Sequence, residues 1–171
     1  MKFAMKWVVL FSFIIFTLAG AVRGAIADDD KATFQEIKAN CEEAAKYLSE
    51  KGEDGLPEFC DPKGKWAWKD SYVFVYDLDA TVVAHSNPPT LVGKNLMGLK
   101  DIKGNMFAAD FVSIAKSEKG KGWSEYWWPK AQAQEVSLKV SYIMKVPGKN
   151  WLVGAGIYDV SKADAIKIAG E

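Results

Sequence analysis

His85 is the only imidazole in the 171-residue chain, which narrows the chemistry open to it. A nucleophile needs a base within hydrogen-bond reach, and no serine stands in a G-x-S-x-G turn near His85. H-E-x-x-H, P-loop, dinucleotide-binding glycine and C-x-x-C-H patterns are also missing from the sequence. Asp77 and Asp79 match two positions of a calcium loop, but the other ligands and the bidentate Glu do not follow, so the segment is expected to be a turn. Cys41 and Cys60, with one histidine, fit no zinc spacing. The expectation is a protein that is not an enzyme and uses no metal or cofactor.

What remains is a set of rings with polar tips. Tyr76, Tyr126, Trp128 and Tyr142 fall on segments with strand character, Lys139 lies mid-strand, and His85 closes a β-branched run. Aromatic walls with a few convergent polar groups are the usual make-up of a small-ligand pocket. Strict alternation sets Lys139 and Tyr142 on opposite faces, so both reach one pocket only if a bulge intervenes. Trp127 and Trp128 exclude each other in the same way; Trp128 shares parity with Tyr126 and is the one expected inside. The chain's single arginine is Arg23. An anion bound further along the chain must be held by Lys, His, hydroxyls or backbone N–H groups rather than by a bidentate guanidinium.

The N-terminus carries Lys2 and Lys6, an apolar run from Trp7 to Leu18, and Ala25-Ile26-Ala27 ahead of three aspartates. This order predicts a secretory signal peptide cut after Ala27; the alternative is an uncleaved anchor. Residues 28–171 then form one domain in the periplasm or outside the cell, with no membrane insertion once the leader is gone. Losing Lys2, Lys6 and Arg23 leaves 19 basic against 22 acidic residues, a formal charge of −3. That balance argues against nucleic acid as a partner, which needs a basic face. In an oxidising compartment Cys41 and Cys60 are expected to form a disulfide worth about 3 kcal/mol by chain entropy; the alternative is two buried thiols.

These residues need a scaffold. Thr33-x-x-Glu36 is a capping box ahead of Phe34, Ile37, Cys41, Ala44, Ala45 and Leu48 at helical spacing, which predicts a helix over residues 33–51. Residues 52–65, rich in Gly, Pro and charge, predict a loop that Cys60 would pin to that helix. From Ser71 the period becomes two, predicting a hairpin of two strands up to His85. A connection over 90–104 leads to a second helix ending near Ser117. Three strands follow, at about 123–128, 136–146 and 151–158, and a short helical turn after Val160 completes the chain. The outcome is an α+β domain: a five-stranded antiparallel sheet, a long N-terminal helix, and a helical insert between strands 2 and 3.

The segments 71–85 (SYVFVYDLDATVVAH), 91–96 (LVGKNL), 99–104 (LKDIKG), 122–129 (GWSEYWWP), 139–142 (KVSY) and 151–158 (WLVGAGIY) resemble, in this order, the elements of single Cache domains. The resemblance covers roughly residues 34–158 and implies a PAS-like extracytoplasmic sensor of the free-standing type. Ala80 stands where that hairpin turn usually has Gly, and the Cys pair is not a general feature of the family. The resemblance implies a ligand between the sheet and the insert. A carboxylate-like small organic acid would be met by Lys139 and His85, oriented by Tyr76, Tyr126 and Tyr142, and walled by Trp128. It also implies a membrane-bound receptor or kinase as partner. The rival expectation is an interaction protein with a filled core that docks on such a partner or on itself.

Overall fold

The computed structural model describes residues 30–131, 133 and 135–170. The expected leader, residues 1–27, lies outside them.

Helix α1 (Phe34–Lys51) starts at the expected capping box: the Thr33 hydroxyl accepts from the Glu36 N–H, and the Glu36 carboxylate accepts from the Thr33 N–H. Gly52, at φ 63°, ends it. Residues Gly52–Cys60 form a 3₁₀ run rather than the expected loop. Pro57 lacks an N–H, but Phe59 and the half-buried Leu56 still pack into the core, and a tight helix satisfies the backbone while they do so.

The sheet comprises β1 (Ala67–Trp68), β2 (Ser71–Asp77), β3 (Val82–Ala84), β4 (Lys121–Pro129), β5 (Val136–Lys145) and β6 (Trp151–Tyr158). The order is β1-β2-β6-β5-β4, with β3 also paired to β2, and every pairing is antiparallel. This is the expected sheet plus the two-residue β1. At the hairpin, the Asp77 carboxylate accepts from the N–H groups of Asp79 and Thr81, and Ala80 takes the left-handed conformation at φ 63°. A glycine would hold that position more cheaply. Helix α2 (Phe107–Lys116) closes the insert, and α3 (Lys162–Ala169) begins at a second capping box, Ser161 with Asp164.

Both faces of the sheet are covered, so the domain has three layers. Val73, Val75, Trp123, Val140, Tyr142, Val153, Ala155 and Ile157 pack toward α1. Tyr72, Phe74, Tyr76, Tyr126, Ile143 and Leu152 pack toward α2 and its loop. The two sets alternate along each strand, as a period of two requires.

The expected disulfide is absent: both cysteines are free. Cys41 is fully buried on the inward face of α1, where its thiol donates to the Tyr142 carbonyl at 3.4 Å. Cys60 ends the 3₁₀ run, and its sulfur turns back toward the Leu56 carbonyl. A disulfide needs the two Cβ atoms within about 4.5 Å and facing each other; here one thiol is aimed at the sheet and the other at its own turn.

Candidate functional site

Two strands, a loop and a helix aim their side chains into one region beneath the insert. Tyr72, Phe74 and Tyr76 come from alternate positions of β2, and Tyr126 and Trp128 from alternate positions of β4. His85 follows β3, and Phe107 opens α2. Together they line a closed hollow with no gap wide enough for a water molecule. The rings pack on one another. Phe107 stacks on Tyr126 at 5.1 Å between centroids and meets Trp128 edge-on at 5.3 Å. His85 meets Tyr72 edge-on at 5.0 Å.

The polar tips are tied only in part. The Tyr126 and Ser141 hydroxyls share a hydrogen bond of 2.9 Å, and the Trp128 indole N–H donates to the Tyr72 hydroxyl at 3.1 Å. His85 Nδ1 accepts from the Asn87 N–H at 3.1 Å, which leaves Nε2 to carry the ring proton. Burial first, then the positive charge of Lys139, push the His85 imidazole down to about 3, so it stays neutral. Burial raises Tyr72 to about 12 and holds Tyr76 and Tyr126 above the usual phenol range, so all three stay protonated donors.

Lys139 is fully buried, and its ammonium has no hydrogen-bond partner among the described residues. Rings surround it: Tyr72 at 4.3 Å from Nζ to centroid, Tyr158 at 4.8 Å and Phe74 at 5.9 Å. Burial pushes the amine down to about 7, against a smaller opposing effect of Asp70. Charged groups buried without a counter-ion are costly, and this one stands one ring away from a hollow lined with donors. Such a set can meet one small anion with an ammonium, phenol hydroxyls and an imidazole N–H.

Residues 24–167 match the family model described as Single Cache domain 2. The chain belongs to the Single Cache domain family. The Cache domain is 33% identical over 104 residues to the sensor histidine kinase MctS of Rhizobium johnstonii, covering 60% of this chain and 22% of that protein. It is 30% identical over 89 residues to the methyl-accepting chemotaxis protein McpP of Pseudomonas putida, covering 52% and 16%. The chain thus spans about a fifth of the length of these curated relatives. Among solved structures it resembles a methyl-accepting chemotaxis protein of Vibrio parahaemolyticus, with TM-score 0.61, 25% identity, and 72% and 86% of the two chains covered. A Cache chemosensory domain described for carboxylic acid recognition aligns with TM-score 0.57, 26% identity, and 72% and 81% coverage. Domains of this family are extracytoplasmic modules that bind small ligands. No helix among the described residues is long and apolar enough to cross a membrane.

Of the six expected site residues, the Cache domain brings Tyr76, His85, Tyr126 and Trp128 to the hollow, with Lys139 directly behind Tyr72 and Phe74. Tyr142 is not with them. The β4–β5 and β5–β6 registers run without a bulge, so Tyr142 faces α1, packed against Trp123 at 4.9 Å with the Lys38 ammonium 5.4 Å from its centroid. Sequence reasoning missed Tyr72, Phe74 and Phe107. The first two share the parity of Tyr76 on one strand, a signal that was available.

An open groove of about 530 Å³ lies beside the hollow, lined in part by Trp68, Ser71, Tyr72, Ser86, Asn87 and Ala131. Tyr72 lines both spaces, and its hydrogen-bond partner Trp128 lines the hollow.

Proposed function

We propose that this Cache domain is an extracytoplasmic receptor for a small monocarboxylate. The observation that carries the reading is the Lys139 ammonium, buried without a partner behind the aromatic wall of the hollow. The carboxylate would take a charge-assisted hydrogen bond from Lys139 and further bonds from the His85 imidazole and the Tyr76 hydroxyl. Tyr126, already held by Ser141, would orient it, and Trp128 would close the apolar side. The hollow has no room for even a water molecule as it stands, so a ligand must be small, and entry requires Tyr72 and Trp128 to part and the rings to move aside.

In this reading residues 1–27 are a leader cut after Ala27, and the domain reports to a membrane-bound receptor or kinase. N-terminal sequencing of protein from the extracytoplasmic fraction checks the first point; a retained Met1 refutes it.

The test of the ligand is a thermal-shift series with acetate, propionate, lactate and pyruvate against their primary amides. A ligand at 100 times its dissociation constant adds about 2.7 kcal/mol to stability. The acids should raise the melting temperature and the amides should not. Equal shifts from acid and amide would remove the role given to Lys139.

A second reading rests on the closed packing of the hollow, which lacks room for even a water molecule. In it the interior stays filled, and the domain works by docking on a membrane-bound partner or on itself. It predicts no shift from any acid and a stable complex recovered from an envelope extract.

A further inference from the structure

The Lys139 side chain starts on β5 and ends on β2, with β6 between them. Neighbouring strands lie about 4.8 Å apart, so the stem must pass over β6, on the face where every other strand carries a large side chain. The residues that β6 presents on this face are Leu152, Gly154, Gly156 and Tyr158, the last paired with Lys139 itself, while Val153, Ala155 and Ile157 point to α1. A Cβ built on Gly156 would stand 2.6 Å from Lys139 Cε, 2.9 Å from the Val140 carbonyl oxygen, and well inside contact with Ser141 Oγ. A Cβ on Gly154 would strike the Phe74 ring and come within 2.8 Å of Ile143 Cδ1. β6 is therefore bare where two side chains cross it: the lysine travelling toward β2, and the phenylalanine travelling from β2 toward β5.

We infer that Gly156 is the positioning residue for the site's cation: its missing side chain is the saddle over which Lys139 reaches the rings of Tyr72 and Tyr158. Gly154 does the same for Phe74, a wall of the hollow, without touching the lysine. The two glycines have separate roles although they sit two residues apart on one strand. A methyl at 156 pushes the ammonium back toward β5, away from Tyr72, and reaches the hollow's walls only through Ser141, which holds the Tyr126 hydroxyl. A methyl at 154 displaces Phe74, the farthest of the three rings around the ammonium, and leaves the path of the lysine stem clear. The ligand part of this inference rests on the carboxylate reading above; the geometric part does not.

The test is a double-mutant cycle on the full chain, with Gly156→Ala and Lys139→Ala singly and together, followed by thermal unfolding. Residues in contact couple, whereas independent ones add. Gly156→Ala should lower the melting temperature by roughly 5 °C or more in the wild-type background, and by about half as much once the lysine stem is gone. The remaining half reflects the Ser141 and Val140 contacts, which both backgrounds keep. If Gly156→Ala alone does not fold, recovery of the fold in the double variant supports the inference. Recovery in Gly156→Ala/Ser141→Gly but not with Lys139→Ala overturns it, because the glycine would then serve Ser141. Equal costs in both backgrounds overturn it too. NMR of the lysine side-chain amines supplies a readout that lost packing alone would not move: the Lys139 titration should shift in Gly156→Ala, as the ammonium leaves the Tyr72 and Tyr158 rings, and keep its depressed value in Gly154→Ala. An unchanged Lys139 titration in Gly156→Ala refutes the inference even if acetate binding is lost. If the wild type binds no acid while the cycle shows coupling, the ligand reading fails and the positioning role stands. Where acetate binds, Gly156→Ala should weaken it at least about tenfold, as loss of a charge-assisted bond would.

Discussion

Replacing Lys139 by methionine should make the domain more stable and leave it unable to hold an anion. The amine lies about 3.5 pH units below its ordinary 10.5, and at 1.36 kcal/mol per unit this corresponds to roughly 5 kcal/mol against the charged form in the fold. Two rings within 5 Å offset about 1–2 kcal/mol of that. Methionine keeps an unbranched stem, fills similar space and requires no partner. A net gain of roughly 3–4 kcal/mol is therefore expected near neutral pH, in line with the general finding that uncompensated buried charge costs more than it returns. The dependence on pH has a definite sign. Between about 7 and 10.5 the unfolded chain holds a proton on this lysine that the folded chain does not, so wild-type stability rises with pH across that window. The advantage of Lys139→Met should be largest below about pH 7 and gone near pH 10.5. Urea unfolding of both proteins at about pH 6 and about pH 10 reads this directly. A variant less stable than wild type at the lower pH, or an advantage undiminished at the higher one, would refute the argument from burial.

Acid binding should weaken by up to about tenfold per pH unit above 7, since only the ammonium form attracts a carboxylate; calorimetry across that range checks it, and His85, held near 3, should contribute no change there. Unfolded protein should give two free thiols in a dithionitrobenzoate titration and native protein at most the half-buried Cys60, because Cys41 is buried and its thiol is pushed up by desolvation. Trp128→Phe removes the indole donor to Tyr72 while keeping a ring; it should speed ligand entry several-fold in stopped-flow measurements at a cost of about 1 kcal/mol in stability. Thr33→Ala should cost about 1 kcal/mol by opening the α1 capping box, seen as a lower urea midpoint.

The local elements were legible because their signals are local. A capping box needs four residues, and alternation over Tyr72–Tyr76 and Trp123–Trp128 announces both a strand and its faces. What was not legible depended on direction in space. An even pair in an oxidising compartment suggests a Cys41–Cys60 disulfide, but the helical phase of Cys41 aims it at the Tyr142 carbonyl. The same alternation that ruled Trp127 out of the pocket ruled out Tyr142, and only an assumed bulge kept it among the candidates. Lys139 is expected at the site through the family resemblance, but its burial without a partner was not legible, because a sequence does not show that both faces of the sheet are covered. Gly154 and Gly156 stood in a quoted segment, yet their meaning depends on which strands flank β6, and that order is set by the long-range pairing of β2 with β6.

The two faces of the sheet do different work. Toward α1 the contacts are almost entirely apolar, the one thiol there has a carbonyl to meet, and the buried groups without a partner are the neutral indole N–H groups of Trp66 and Trp68, so this face carries no unpaired charge. Toward the insert the same strands carry tyrosine hydroxyls, a neutral imidazole and a cation without a counter-ion. The cost of that cation is carried by the folded state until something neutralises it. A small anion would supply the missing charge and tie Lys139 to the β2 and β4 tyrosines at once. Its binding should therefore show most strongly in the order of Tyr72, Trp128 and the insert, and least in α1. Hydrogen exchange with and without saturating acid would measure this: protection confined to the insert face supports the division, while equal protection in α1 would mean that the faces are coupled rather than separate.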